Sequence, residues 1–502
     1  MSYLGLDIGT SGCKAAIFNR EGQMLAYAYR EYPLLHPSAG AAELDSETVI
    51  TRCFEVIREV NAAVAKDPVV AMAVSSQGEA FTPVDKDGNA LANAMVSSDN
   101  RATQEVKELS EKISTEKLYS ITGHTPHPLF SLFKLLWLKK HRQDIWKKTH
   151  FFLCFEDLLI ARAGLPPHIS WPLAGRTMLF DVQQHQWSLS ILDVLGLTSG
   201  QLASPVCSGT IVGQIPAKIA SKLGFTSKVT VVAGGHDQPV NALGAGVYEE
   251  GLCMYATGTV ECFCPMLEKP VIHPQWQKNN LCCYDYTVKG KYTTVAYSLT
   301  GGNILKWFRD EFGQMEKQVS SQSGENVYSL LLRNMPKEPT RLLVLPYFCA
   351  TGTPYFDTEV SGAIAGLRFT TTRGEILKAL LEGVAMEMKL NLELMEQTGI
   401  HVTTFLASGG GTRNASWMQL KCDVLNRPIK TLEITETGCY GAAMLARSAM
   451  ENIPVQEIIK TNQQKIQPRI YSPDEKNAAL YARKYNFYKE LYASLKPFMK
   501  AE

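Results

Sequence analysis

The chain opens with the stretch Leu4-Gly-Leu-Asp-Ile-Gly-Thr-Ser11, which decides how the rest of the sequence is interpreted. The apolar residues up to Ile8 indicate a buried strand, Gly9 to Gly12 indicate a tight turn, and Lys14 to Phe18 resume the strand pattern. The sequence therefore predicts a β-hairpin whose tip is rich in glycine and hydroxyl groups. Such a tip can turn backbone N–H groups and two hydroxyls toward an anion such as phosphate.

A second stretch repeats this pattern near the middle of the chain. Gly251 to Ala256 is largely apolar, Thr257-Gly258-Thr259 forms a small hydroxylated turn, and a further apolar run follows. Two such tips, one opening each half of the chain, predict a clamp on a polyphosphate. A chain of 502 residues is expected to form two large domains. We place their boundary near Gly246, which gives an N-terminal domain of residues 1–246 and a C-terminal domain of residues 247–502.

Composition limits the classes of partner. Lys and Arg number 50 against 49 Asp and Glu, and no basic cluster is present, so neither nucleic acid nor an anionic membrane is the expected partner. No basic leader precedes the first strand, and no run reaches the roughly 18 apolar residues of a membrane span. We therefore expect a cytoplasmic protein with small-molecule ligands, whose 12 cysteines are free thiols.

Two carboxylates stand where predicted strands meet turns. Asp7 lies within an apolar strand, where a carboxylate is costly unless it meets a donor or a cation such as Mg²⁺ on nucleotide phosphates. Asp237 follows Gly234-Gly235-His236, after a strand predicted at Val229 to Ala233. A carboxylate there can accept the proton of an attacking hydroxyl group. The alternatives are a turn cap for Asp7 and a helix N-cap for Asp237.

Further glycine clusters offer backbone surface to a nucleotide. Ser408 to Asn414 follows a predicted strand and precedes a helix, but it is neither a Walker A loop nor the dinucleotide fingerprint. A helix N-terminus of this kind suits a ribose or a phosphate, with a structural loop as the alternative. Thr300-Gly301-Gly302-Asn303 indicates another helix start. Helices are also predicted at Ser46 to Lys66, Leu129 to His141, Thr149 to Ala163, Arg373 to Thr398 and Ser472 to Glu502.

Together these segments resemble the FGGY family of carbohydrate kinases along nearly the whole chain. The matching stretches, in chain order, are Leu4 to Ser11, Ala233 to Gln238, Asn241 to Gly246, Ala256 to Thr259, Leu299 to Asn303, Leu345 to Tyr347, Gly352 to Tyr355, Gly362 to Leu367, Leu381 to Ala385, Ser408 to Gly411 and Gly438 to Ala443.

The resemblance implies an α/β fold of two ribonuclease-H-like lobes, of the actin and hexokinase ATPase type, with a cleft between them. It implies that the N-terminal lobe mainly binds the sugar and the C-terminal lobe mainly binds ATP with Mg²⁺. Asp237 then matches the catalytic base and Asp7 the aspartate on the magnesium side. The residues that match the phosphate turns and the nucleotide pocket are Thr10, Ser11, Thr257, Thr259, Gly301, Gly302, Gly410, Gly411 and Asn414.

The resemblance leaves the acceptor sugar open. Gln77-Gly78-Glu79 occupies a turn that resembles Gln-Arg-Glu in glycerol kinases and Gln-Met-His in xylulokinases, and it matches neither fully. Ser97 replaces the aromatic residue of the family's Trp-x-Asp-x-Arg stretch, whereas Asp99 is kept. Gly352 to Asp357 is more similar to the fuculose and ketose kinases. The residues expected to contact the sugar are Gln77, Glu79, Asp99, Asp237 and Gln238.

The expected reaction is phosphorylation of a primary hydroxyl on an open-chain ketose, such as xylulose, or on a polyol. A sugar acid received by Arg101 or Arg176 is an alternative, and a homodimer is compatible with this interpretation. Two other classes are alternatives, namely an actin- or chaperone-like ATPase that activates water and a non-catalytic sugar sensor. The Gly234 to Gln238 strand end argues against the ATPase, and the presence of both Asp7 and Asp237 argues against the sensor.

Overall fold

Each half of the chain forms a six-stranded mixed sheet in a computed structural model that describes residues 1–64, 67–432, 434 and 436–499. The strands of the first sheet are β1 Ser2–Ile8, β2 Gly12–Phe18, β3 Met24–Glu31, β4 Val69–Ser76, β5 Ile211–Gln214 and β6 Thr230–His236. The strands of the second are β7 Leu252–Thr257, β8 Glu261–Pro265, β9 Ala296–Ser298, β10 Thr404–Ser408, β11 Ile429–Thr431 and β12 Arg469–Tyr471.

The two sheets share one pattern of strand directions. The first has the order β3-β2-β1-β4-β6-β5 and the second has the order β9-β8-β7-β10-β11-β12. In each, three antiparallel strands are followed by two parallel ones and an antiparallel edge strand. The edge strand β5 precedes its neighbour in sequence, whereas β12 follows its neighbour. This repeat is the predicted α/β architecture of two related lobes.

Helices cover the sheets. Those of the first half are α1 Ser46–Ala63, α2 Thr103–Ser110, α3 Thr115–Thr122, α4 Ser131–His141, α5 Gln143–Trp146, α6 Phe155–Arg162, α7 Trp171–Gly175, α8 Leu189–Leu195, α9 Ala217–Lys222 and α10 Asp237–Ala245. Those of the second half are α11 Pro274–Lys278, α12 Gly302–Phe312, α13 Gln314–Ser323, α14 Val327–Arg333, α15 Arg373–Glu396, α16 Ala415–Leu425, α17 Thr437–Glu451, α18 Val455–Gln463 and α19 Glu475–Met499.

Short two-stranded ribbons and two 3₁₀ turns complete the description. The ribbons pair Glu43–Leu44 with Ala94–Met95, Thr82–Val84 with Phe151–Leu153, His168–Ser170 with Ser204–Val206, Phe180–Asp181 with Gln186–Trp187, Tyr284–Asp285 with Tyr292–Thr293, and Leu343–Leu345 with Ala363–Ala365. The 3₁₀ turns span Ser199–Gln201 and Gly410–Arg413. Within the described residues, no helix combines the length and apolar character needed to cross a bilayer.

The helix predicted at residues 149–163 is wrong in its first turn. Phe151–Leu153 is a strand, and α6 begins only at Phe155, where Asp157 Oδ2 accepts the Cys154 backbone N–H at 3.0 Å. This bond caps the helix and fixes where it starts. The other predicted helices lie within two or three residues of the observed bounds. Their predicted ends at residues 65, 66 and 500–502 lie outside the described residues.

Helix α17 lies between strands β11 and β12 of the second sheet in sequence but packs against the first sheet. A Cβ added to Gly5 on β1 would lie 1.8 Å from the Cys439 carbonyl oxygen, so the glycine permits this close approach. The rings of Phe18 and Tyr440 stand 5.3 Å apart. Tyr3 Oη donates to Glu451 Oε1 at 2.6 Å at the far end of the helix. The first sheet is therefore covered in part by the other half of the chain.

Candidate active site

The two predicted hairpin tips are both present. The Gly9 N–H donates to the Gly12 carbonyl at 3.0 Å between β1 and β2, and the Gly258 N–H donates to the Val260 carbonyl at 3.0 Å between β7 and β8. Ser11 and Thr259 lie on the exposed part of their tips. Each half of the chain thus presents a glycine- and hydroxyl-bearing turn at the same end of its first strand pair.

Asp7 faces the start of α17. Ser75 Oγ donates to Asp7 Oδ1 at 2.7 Å, and burial raises the pKa of the Asp7 carboxyl. A Cβ added to Gly438, the second residue of α17, would lie 3.0 Å from Asp7 Cγ. The N-terminus of α17 therefore lies directly beside this carboxylate. An aspartate held beside a helix N-terminus and a phosphate-type turn is a suitable ligand for a cation bound to phosphate.

Asp237 is the first residue of α10, directly after strand β6. Among the described residues, its buried Oδ1 has no hydrogen-bond partner. The Nε2 atom of His236 lies 3.1 Å from it, but not in hydrogen-bonding alignment. Burial first, and then the negative charges of Asp7 and Glu79, raise the pKa of Asp237 to about 7, although Gln238 and Arg176 oppose the rise. The N-cap interpretation of Asp237 is therefore not what the geometry supports, since His236 occupies the cap position.

Glu79 and Arg176 form a buried ion pair in the same region. The Nε atom of Arg176 donates to Glu79 Oε1, and its Nη2 atom forms an ion pair with the same oxygen. The guanidinium also lies over the rings of Phe130 and Tyr284, at 5.1 and 5.4 Å from their centroids. Glu79 has a φ of 64°, an uncommon value for a residue other than glycine, so its conformation is held by the surrounding contacts. Only 12% of the Arg176 side chain and 5% of the Glu79 side chain are exposed.

Two neutral histidines and a tyrosine complete this polar cluster. His236 Nδ1 lies 2.8 Å from Tyr284 Oη, and His124 Nε2 lies 3.1 Å from Arg176 Nη1. Burial lowers the pKa of both histidines well below the usual range, and the Arg176 charge acts in the same direction. The sequence interpretation did not single out His124 or Tyr284. Their only sequence signal is that each is a polar residue next to an apolar stretch. This pattern is too common to indicate a site when the contacts are unknown.

Two predicted sugar contacts have other partners. Gln77 Nε2 donates to the Gly9 carbonyl at 2.8 Å, and Gln77 Oε1 accepts from Thr10 Oγ1 at 3.3 Å, so Gln77 braces the first hairpin tip. Asp99 is fully buried and accepts bonds from the Arg101 guanidinium and from the Ala42 N–H at 2.9 Å. Glu79 and Gln238 thus lie near enough to Asp237 to influence its pKa, whereas Asp99 is buried.

A cavity of about 870 Å³ lies in the second lobe beside the second hairpin tip. Six predicted nucleotide residues line it, namely Thr257, Thr259, Gly302, Gly410, Gly411 and Asn414. Gly301 lies behind this lining, where an added Cβ would stand 2.9 Å from Glu261 Cγ. Gly409 has a φ of 93°, which turns the chain between β10 and the Gly410–Arg413 turn.

Other residues of the cavity were not predicted. They are Gly258, Asn303, Leu305, Lys306, Asn326, Tyr328, Ser329, Leu332, Arg413 and Trp417. Lys306 follows the Gly301-Gly302 turn by one helical turn, a spacing that could have suggested it. Asn326 and Tyr328 come from a separate helix start and carry no local motif. The cavity is of the size that ligand pockets usually have.

Comparisons with known proteins agree with this geometry. The model of the FGGY family of carbohydrate kinases, N-terminal domain, matches residues 2–244, and the model of the C-terminal domain matches residues 253–450. A xylulose kinase of Bacillus subtilis is 28% identical over 501 residues, covering 99% of this chain and 98% of the relative. An L-xylulose/3-keto-L-gulonate kinase of Escherichia coli is 27% identical over 515 residues, covering 99% and 97%.

The fold also matches solved structures. The crystal structure of a ligand-bound xylulose kinase from Lactobacillus acidophilus superposes with a TM-score of 0.89 at 23% identity, covering 99% of this chain and 98% of the other. Two family models in their natural order, full-length relatives and the shared fold lead to one conclusion. The chain belongs to the FGGY family of carbohydrate kinases.

Proposed function

We propose that this kinase transfers the γ-phosphoryl group of ATP to a primary hydroxyl of an open-chain ketose such as xylulose, or of a related polyol, with Asp237 as the general base. The observation that carries the proposal is the buried Asp237 Oδ1, which lacks a hydrogen-bond partner among the described residues. An unsatisfied carboxylate oxygen is costly, and an acceptor hydroxyl would satisfy it.

The proposed step moves one proton and one phosphoryl group. The sugar O–H donates its proton to Asp237 as its oxygen attacks the γ-phosphorus, and the bond from that phosphorus to the bridging oxygen of ADP breaks. The electron pair of the broken bond leaves with ADP. His236 is neutral and the Arg176 charge is paired with Glu79, so neither neutralises the Asp237 carboxylate.

Both lobes contribute residues to the proposed phosphate contacts, and the second lobe supplies the proposed nucleoside pocket. Thr10 and Ser11 on the first tip and Thr257 and Thr259 on the second are the proposed phosphate contacts, and the cavity lined by Gly302, Gly410, Gly411 and Asn414 is the proposed nucleoside pocket. Asp7 would hold Mg²⁺, directly or through water, and the ion would offset the phosphate charge during transfer.

An uncharged acceptor fits the charges of the pocket. A sugar acid would need a free cation, but Arg176 is paired with Glu79, and Arg101 is paired with both Asp99 and Glu43. The relatives named xylulose kinase support a ketose as the acceptor. We also place the reaction in the cytoplasm, because ten of the twelve cysteines are buried free thiols and ATP is the phosphoryl donor.

The test is ADP release from ATP across pentuloses, hexuloses, polyols, glycerol and gluconate, with and without Mg²⁺ and with a no-sugar control. We expect Mg²⁺-dependent release with one neutral acceptor. Asp237→Asn should bind ATP normally and lose about 10²–10⁴-fold in kcat. Near-normal turnover by this variant would remove Asp237 from the role of base, and equal release with and without every sugar would contradict the proposed reaction.

A further inference from the structure

A buried carboxylate in α6 lies behind the proposed catalytic groups without belonging to the cleft. Glu156 has no exposed surface. Its Oε1 accepts the Gly234 backbone N–H at 2.7 Å, and its Oε2 accepts the Ser170 backbone N–H at 3.0 Å and the Ser170 hydroxyl at 2.6 Å. A buried carboxylate with three donors is well satisfied, and each donor belongs to a segment that leads to the proposed active site.

The bond to Gly234 compensates for an irregularity in strand β6. Val232 pairs with Ala73 and Gly235 pairs with Ser75, so Ala233 and Gly234 together oppose the single residue Val74. This is a β-bulge, a feature that bends a strand and re-aims the side chains that follow it. A Cβ on Gly234 would lie 1.8 Å from the Val74 carbonyl oxygen, so glycine is required there. The bulge diverts the Gly234 N–H from the ladder to Glu156.

The bulge lies three residues before Asp237. Strand β6 ends at His236, and α10 begins at Asp237, so the path of the chain at Gly234 sets where the Asp237 carboxylate points. A displacement of about 1 Å at a reacting group is enough to cost about 10²-fold in rate. The Glu156 bond is therefore in a position to affect turnover without touching either substrate.

The hydrogen bonds to Ser170 connect Glu156 to the segment that carries Arg176. Ser170 is the residue before α7, and Arg176 directly follows the last residue of that five-residue helix. Arg176 in turn holds Glu79. One carboxylate thus ties the segment that carries Asp237 to the segment that carries the Glu79–Arg176 pair.

We infer that Glu156 is a positioning residue, which fixes Asp237 and Arg176 relative to each other through the Gly234 N–H and Ser170. The inference rests on the proposed role of Asp237 as base. A glutamine cannot replace the carboxylate, because its amide offers one acceptor oxygen and turns an NH₂ donor toward either the Gly234 N–H or Ser170. Glu156→Gln keeps the size of the side chain, but it loses the ionisable group and at least one of the three accepted hydrogen bonds.

Asp157 supplies a matched control. It is the neighbouring buried carboxylate on the same helix, and its Oδ2 caps α6 through the Cys154 N–H at 3.0 Å. No hydrogen bond joins it to β6 or to Ser170 among the described residues. Asp157→Asn keeps an acceptor oxygen for the Cys154 N–H and leaves the bulge unaltered, so it shows what the loss of a buried carboxyl group on α6 does to activity by itself.

The experiment compares wild type, Glu156→Gln and Asp157→Asn by two readouts. The first is hydrogen exchange followed by mass spectrometry, which needs no acceptor sugar. We expect faster exchange in segments 230–237 and 168–176 of Glu156→Gln, and no such paired change in Asp157→Asn. The second is steady-state kinetics, where Glu156→Gln should lose about 10–100-fold in kcat while the KM for ATP stays close to that of wild type.

The two readouts distinguish failure of the inference about Glu156 from failure of the proposed reaction. Wild-type exchange in both segments of Glu156→Gln would overturn the inference, and so would a kcat loss no greater than that of Asp157→Asn. If the wild type phosphorylates no sugar but the paired exchange change is present, the positioning link stands and the proposed reaction fails.

Discussion

At the scale of single residues, the proposed site depends on how charges surround one aspartate. An ordinary aspartate titrates near about 3.9 and is a weak base at neutral pH. The pKa of Asp237 rises to about 7 because the carboxyl is buried and because Asp7 and Glu79 add negative charge. A base with a pKa near the working pH combines a deprotonated form with useful basicity. The neighbours of Asp237 thus determine its chemistry as much as its position does.

The first prediction concerns the pH dependence of turnover. Because the base must be deprotonated, kcat/KM for the sugar should fall as pH drops through about 7, following the Asp237 carboxyl. Glu79→Gln should shift this inflection to lower pH, since it removes one negative charge and leaves the Arg176 charge unpaired. A series of pH–rate profiles at constant ionic strength tests both statements. A profile that is flat from about pH 5.5 to about pH 8 would contradict the assignment.

The second prediction concerns stability. The folded-state pKa of Asp237 lies above that of the unfolded chain, so the folded form binds the proton more tightly and loses stability as pH rises from about 4 through about 7. Asp237→Asn does not titrate. Its free energy of unfolding should therefore exceed that of wild type above pH 7, and the gain should shrink toward pH 4. Urea unfolding of both proteins across this window measures the difference, and a gain independent of pH would refute the explanation.

The sequence predicted where the candidate site residues lie in the fold but not which side chains they contact. Asp237, Asp7 and the two tips were predictable because each is carried by a short local motif. The Glu79–Arg176 pair joins residues 97 positions apart, so no local pattern reveals that Arg176 is occupied. For the same reason no local pattern reveals that Asp99, a predicted sugar contact, accepts a hydrogen bond from Arg101. Hydrogen bonds and ion pairs between distant residues depend on tertiary packing, so they could not be predicted from the sequence.

At the scale of elements, the crossing of α10 and α17 joins the two halves. A Cβ added to Gly244 would lie 1.9 Å from the Thr437 carbonyl oxygen, and one added to Gly441 would lie 2.2 Å from the Val240 carbonyl oxygen. Thr437 Oγ1 also donates to Asn241 Oδ1 at 2.8 Å. Asp237 and the Asp7-facing start of α17 both belong to this crossing. Sequence periodicity predicted neither the crossing nor the β6 bulge, because both are set by contacts between distant segments.

The third prediction tests this crossing. Gly441→Ala should force the two helices apart and cost about 1–3 kcal/mol of unfolding free energy, as overpacking of a tight core usually does. It should also lower kcat, because α10 carries Asp237. The control is Gly200→Ala on the Ser199–Gln201 turn, where the nearest atom to an added Cβ is 3.7 Å away. Thermal unfolding and kinetics of both variants give the answer, and equal stability of the two would show that the crossing tolerates a methyl group.

At the scale of the whole molecule, one apolar core is built from residues of both halves. Tyr440, Met444 and Leu445 of α17 are buried in the same apolar cluster as strands β1, β2 and β4, together with Ile458 and Ile459 of α18. Length and the repeated hairpin predicted two separate domains with a boundary near residue 246. The repeat of the sheets agrees with two lobes, but the packing of α17 means that the first sheet is completed by residues far beyond that boundary.

The last prediction follows from this shared core. A fragment of residues 1–246 lacks α17, so it loses the burial of Tyr440, Met444 and Leu445 against its sheet. Burying each such side chain contributes about 1.5–3 kcal/mol, and the loss of all three approaches the total of about 5–15 kcal/mol that stabilises a typical protein. We expect the fragment alone to show no cooperative thermal transition by circular dichroism. Co-expression with residues 247–502 should restore it, because the second fragment supplies α17. A cooperative transition of the isolated fragment would instead show that the first sheet is stable without α17, and that the helix serves only to couple the lobes.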